Sequence, residues 1–98
     1  MATVQVRFEP VSAAEMEPVA DALMDALDAH PAVVGPLVVA DGARGDVRVS
    51  FEFAASGDEA RDRPSAQRII DAVIGRAPLA AALRTPPPPF TLAFARTH

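Results

Sequence analysis

The chain has 98 residues, a formal net charge of -4, and no Cys, Lys, Tyr, Trp or Asn, so all nine of its Lys/Arg-class bases are Arg. Those absences exclude thiol, Schiff-base and phenolic chemistry together with any disulfide framework, and the acidic balance opposes binding to a phosphate backbone. Nucleic acid is therefore not expected as a partner. The length suits one domain, but 21 of the apolar residues are Ala, which leaves a thin core.

Residues 3–8 alternate strictly, with Val4, Val6 and Phe8 on one face and Thr3, Gln5 and Arg7 on the other, as a half-buried strand requires. Pro10 ends it. Ser12-Ala13-Ala14-Glu15 has capping-box spacing, with Val11 and Met16 placed as a hydrophobic staple. The helix that follows would bury Met16, Val19, Leu23, Ala26 and Leu27 and stop near His30-Pro31. Pro18 either kinks this helix or marks where its regular part begins.

Residues 32–40 are Val-rich and interrupted by Gly35-Pro36, the pattern of an edge strand with a bulge. Residues 41–46 form a polar hairpin connection with two glycines. Val47, Val49, Phe51 and Phe53 then alternate with Arg48, Ser50 and Glu52, which predicts a central strand. A charged loop over 55–62 leads to a second helix predicted from about Pro64, with Ala66, Ile69, Ile70, Val73, Ile74 and Ala77 inward. Leu79 to Leu83 reads as a kinked continuation or separate short helix, Pro86 to Pro89 as a stiff spacer, and Phe90 to Ala95 as a last strand. No internal repeat is visible.

The order strand, helix, strand, strand, helix, strand predicts a ferredoxin-like α+β sandwich, a single domain over 1–98 with a four-stranded antiparallel sheet and two helices on one face. Such a fold hosts many functions and dictates none. The element order resembles several families whose functional residues can be sought here. RNA-recognition motifs carry aromatic and basic side chains on the central strands, where this chain has Thr3, Gln5, Arg7, Arg48, Ser50 and Glu52. Heavy-metal-binding domains need a Cys-x-x-Cys loop, and acylphosphatase-like enzymes need a Gly-bearing phosphate loop and an Asn; neither set is present. Small-molecule sensors similar to ACT domains usually have a Gly turn after the first strand, absent from Glu9 to Ser12. Dimeric α+β barrels, including small monooxygenases and isomerases, remain compatible with the architecture.

No catalytic, cofactor or metal motif stands out. His30 and His98 belong to no ligand-spaced set, and Ser12, Ser56 and Ser65 occupy positions suited to caps and turns. Glu17, Asp21, Asp25 and Asp28 form an acidic stripe on the first helix, able to dock a basic partner or to pair with Arg68 and Arg76. Ser12, Arg61 and Arg63 lie near the two helix N-termini and form a candidate anion site, crowded by Glu9, Glu15, Glu17, Asp58, Glu59 and Asp62. With no bilayer-length apolar run and no leader-like N-terminus, the expected location is the cytoplasm. The expected role is a non-catalytic interaction or assembly module forming a homodimer, without cofactor. The alternatives are a dimeric α+β barrel enzyme, in which Arg7, Arg48 or His30 contacts a small organic acid, and a regulatory module for an anionic metabolite.

Overall fold

The structure, a computed structural model, describes residues 1–76 and 90–94. Its elements are β1 (Ala2–Phe8), α1 (Ala13–Ala29), β2 (Val34–Asp41), β3 (Asp46–Phe53), α2 (Glu59–Arg76) and β4 (Phe90–Phe94). The strands form one antiparallel sheet in the order β2-β3-β1-β4, the ferredoxin-like arrangement that the element order predicts. The expected short helix over Leu79 to Leu83, the proline spacer at Pro86 to Pro89, Ala77, Ala95 and His98 lie outside the described residues.

Period-two alternation decides which face of the sheet is covered. Ala2, Val4, Val6 and Phe8 of β1 and Val47, Val49, Phe51 and Phe53 of β3 are all buried against the helices. The apolar stripe of α1 (Met16, Val19, Leu23, Ala26, Leu27) and that of α2 (Ala66, Ile69, Ile70, Val73, Ile74) complete the same core. Burial of these side chains provides the main favourable term, at about 25 cal/mol per Å² of apolar surface removed from water. The apolar residues expected inward on the two central strands and on both helices are buried wherever they are described; Ala2 extends the inner row of β1 by one position, and Asp62 is buried on α2 outside its apolar stripe.

Three local features differ from the sequence reading. Ser12 is the N-cap residue of α1 in extended conformation, but its hydroxyl makes no cap hydrogen bond; the first turn closes through the backbone, Glu15 N–H donating to Ser12 O at 3.1 Å. Pro18 lies inside a helix that runs unbroken from Ala13 to Ala29. The second helix starts at Glu59, not near Pro64, so Arg61 and Arg63 lie within its first turns and do not precede it. The cause is a cap that a run of charged residues conceals. Asp58 Oδ1 accepts the Ala60 N–H at 3.0 Å, and Asp58 O accepts the N–H groups of Arg61 and Asp62 at 3.0 and 2.9 Å.

Asp62 ties that helix start to the loop before it. It is buried, with Oδ1 accepting from the N–H and the hydroxyl of Ser56, both at 2.9 Å, and Oδ2 accepting the Gly57 N–H at 2.9 Å. Burial pushes this carboxyl up, but the donors from Ser56 and Gly57 and the charge of Arg61 outweigh it and hold it below its ordinary value of 3.8. Gly57, at φ +91°, supplies the left-handed backbone that lets the loop wrap the carboxylate.

Candidate functional site on the outer sheet face

The helices cover one face of the sheet, and the other is a grid set by strand register. One row runs Leu37, Ser50, Gln5, Thr91 across β2, β3, β1 and β4; the next runs Val39, Arg48, Arg7; and Asp41 stands opposite Asp46 at the end. On the other side of the first row, Val34, Glu52, Thr3 and Ala93 are aligned. The outer face is thus polar across its two central strands and apolar along β2. Val34, Leu37 and Val39 are 46%, 57% and 46% exposed, which makes them three of the four exposed large hydrophobic side chains among the described residues.

The bulge explains why three apolar side chains share that edge. Between Val34 and Leu37 β2 carries one more residue than β3 does between Glu52 and Ser50, and Gly35 there adopts φ +58°. In an unbroken strand Val34 would alternate onto the face opposite to Leu37 and Val39. The extra residue brings it back to theirs. The Gly35-Pro36 pair therefore marks more than an edge; it sets the composition of the outer face.

At the end of the grid lies a charge network. Asp46 is 1% exposed although it sits on the outer face, because Arg7 and Arg48 lie over it, with Arg7 Nε 3.5 Å from Oδ2 and Arg48 Nε 3.6 Å from Oδ1. Arg48 continues to Asp41, Nη2 to Oδ2 at 3.6 Å, and Arg44 reaches the same oxygen at 3.7 Å. Asp41 also shapes the hairpin by accepting the N–H groups of Ala43 and Arg44 on Oδ1, at 3.1 and 3.2 Å. The contacts to Asp46 are loose: Asp46 Oδ1 and Arg48 Nε are buried, have no hydrogen-bond partner among the described residues, and face one another across 3.6 Å. Sequence reasoning placed Asp46 in the hairpin connection and missed its burial, for which the only sequence signal is its position two residues before Arg48 on the outward side of β3.

A concavity of about 320 Å³ opens on this face, lined by Gln5, Arg7, Leu37, Val39, Arg48, Val49, Ser50 and Thr91. Both charged residues among its described lining are Arg, in a chain whose net charge is -4. Its floor is the sheet itself, one wall is the apolar edge of β2, and the polar side is built from guanidinium, amide and hydroxyl groups.

The other candidate residues are distributed as follows. Ser12 stands at the N-cap position of α1 without a side-chain cap bond, while Arg61 and Arg63 are exposed on α2. Arg63 is already engaged, Nη2 donating to Glu59 Oε1 at 3.0 Å and the guanidinium lying 5.1 Å from the centre of the Phe90 ring. It lines a depression with Glu59, Ala60 and Pro64, of which Ser12 is not part. Glu17, Asp21, Asp25 and Asp28 are all exposed along α1, and Arg76 lines a groove with Asp21 and Asp25; among the described residues none of the four carboxylates forms an ion pair. Arg68 turns back on its own helix, its Nε donating to Pro64 O at 3.4 Å. His30 ends α1, and its Nδ1 accepts the Ala32 N–H at 3.1 Å. No group of three or more metal-ligating side chains occurs among the described residues, and none of their helices is long and apolar enough to cross a membrane. The chain matches no family model and no functionally described protein.

Proposed function

We propose that this chain is an assembly module that forms a homodimer by packing the outer faces of two sheets together. The observation that carries the reading is the alignment of Val34, Leu37 and Val39 on one face by the β2 bulge. Three large apolar side chains in a row beside two polar central strands are what a partner's surface would cover. A second copy is the occupant favoured here, because a two-fold axis lets one patch serve both sides of an interface.

Size is compatible with the same occupant. The strands have seven, eight, eight and five residues, and at about 3.3 Å per residue and about 4.8 Å between strands they present a face on the order of 450 Å². Two copies would therefore bury on the order of 900 Å², close to the threshold of about 1,000 Å² for a specific interface. The Arg7–Asp46–Arg48–Asp41 network would lie at one end of that interface, where its half-exposed guanidiniums retain water.

Catalysis on a small organic acid is the second reading, and the outer-face cavity speaks for it. Against it, no carboxylate or imidazole is among the described lining residues, so they offer no side chain suited to proton transfer near neutral pH. A non-catalytic module is the better fit.

Sedimentation equilibrium tests the proposal directly. The wild-type chain is expected to run as a dimer and Leu37→Glu as a folded monomer, since Leu37 is already exposed within one copy and a charge there costs the fold little. A monomeric wild type, or a dimer indifferent to Leu37→Glu, refutes this interface.

A further inference from the structure

We infer that the outer-face cavity binds a small organic monocarboxylate, with its carboxylate on the outward N–H groups of Arg7 and its apolar body against Leu37 and Val39. The inference rests on the dimer reading in one respect: a second sheet would close the open side of the cavity over the ligand's apolar body, while its carboxylate stays at the end of the interface with Arg7.

Charge selects the class of ligand. Among the described residues the network holds three guanidiniums, Arg7, Arg44 and Arg48, against two carboxylates, Asp41 and Asp46, a balance of one positive charge. That balance suits a monoanion better than a dianion such as phosphate. Partner counting points to Arg7. Among the described residues Arg48 pairs with both carboxylates, Asp46 through Nε and Asp41 through Nη2, whereas Arg7 and Arg44 each pair with one. Of those two only Arg7 lines the cavity. A guanidinium carries five N–H donors, so one held by a single loose contact can still grip a carboxylate through two parallel hydrogen bonds.

The rest of the lining fits an amphipathic molecule. Gln5, Ser50 and Thr91 supply neutral hydrogen-bonding groups, and Leu37 and Val39 supply an apolar wall on one side only. The volume of about 320 Å³ lies at the small end of the range for small-molecule sites, which begins at about 300 Å³. A phosphate-bearing metabolite would find one spare positive charge and a hydrophobic wall; a compact aromatic or branched aliphatic acid would use both.

The full chain, labelled for amide NMR, would be titrated with benzoate, with benzyl alcohol as the uncharged analogue and with inorganic phosphate as the compact dianion, and its mass would be followed by sedimentation in the same samples. Benzoate is expected to move resonances of β1, β2 and β3 saturably, to bind at least tenfold more tightly than benzyl alcohol, and to lose at least tenfold in affinity in Arg7→Gln. Phosphate is expected to leave those resonances unchanged. Equal binding of benzoate and benzyl alcohol, saturable phosphate binding at this face, or benzoate shifts confined to the helices overturns the inference, and the probe comparison needs no variant to fold. A dimer that ignores benzoate removes the ligand and leaves the interface; a monomer that binds benzoate with the expected Arg7 dependence removes the interface and leaves the ligand.

Discussion

The two faces of the sheet are made from the same strands, yet they are built on different principles. On the inner face every β1 and β3 side chain is apolar and buried, and all belong to one core with the apolar stripes of the helices. On the outer face the same two strands carry Thr, Gln, Arg, Ser and Glu, and the one buried side chain, Asp46, is covered by two long cations and not by a packed layer. Inner-face order comes from excluding water over a large apolar area. Outer-face order comes from a few polar contacts, each worth about 1 kcal/mol or less. Stability therefore resides on one side and recognition is free to occupy the other.

Substitutions should divide along that line. Phe51→Ala, at a fully buried position of the inner face, is expected to cost about 3–5 kcal/mol in urea unfolding. A loss under about 1 kcal/mol would mean that the inner face is loosely packed and the contrast false. Asp46→Ala, on the outer face, removes the shared partner of two half-exposed guanidiniums, and the expected cost is about 1–2 kcal/mol. A loss matching that of Phe51→Ala would show that the network carries the fold as the core does.

Asp62→Asn sharpens the comparison at the α2 entry, where a buried carboxylate is fully hydrogen-bonded and so differs from Asp46. Its carboxyl is held below 3.8, so its contribution to stability is fully present above that pH and is lost as pH falls through the lower folded value. The wild type should therefore exceed Asp62→Asn in Tm at pH 7, and the gap should shrink progressively below about pH 4. A gap of equal size at pH 7 and at pH 2.5 would mean that ionisation of Asp62 contributes nothing.

How far the sequence could be read follows the same division. The inner face was legible because strict alternation in β1 and β3, and the 3.6-residue stripes of both helices, are signals carried by many residues at once. The start of α2 was not. Its determinants are single contacts, the Asp58 cap and the Asp62 ties to Ser56 and Gly57, inside a stretch where five of the six residues 58–63 are charged, and Pro64 offered a more conspicuous start. The outer site was legible only in fragments. Arg7 and Arg48 could be placed on the exposed face, but their convergence on Asp46 depends on the β1–β3 register, and the shared side of Val34, Leu37 and Val39 depends on counting through a bulge.

That bulge also bears on how far association can spread. A regular strand at the border of a sheet is a template: its free N–H and C=O groups accept another strand, which presents a new border in turn, and growth has no natural end. β2 is the border strand next to β3, and its ladder is regular only from Leu37 to Asp41, since Pro36 has no N–H to offer and the register shifts before it. Contact through the broad surface is self-limiting, because once two copies have met face to face neither retains a second such surface. By shortening the border and enriching the face, one Gly-Pro step would bias this chain toward pairs and away from fibres.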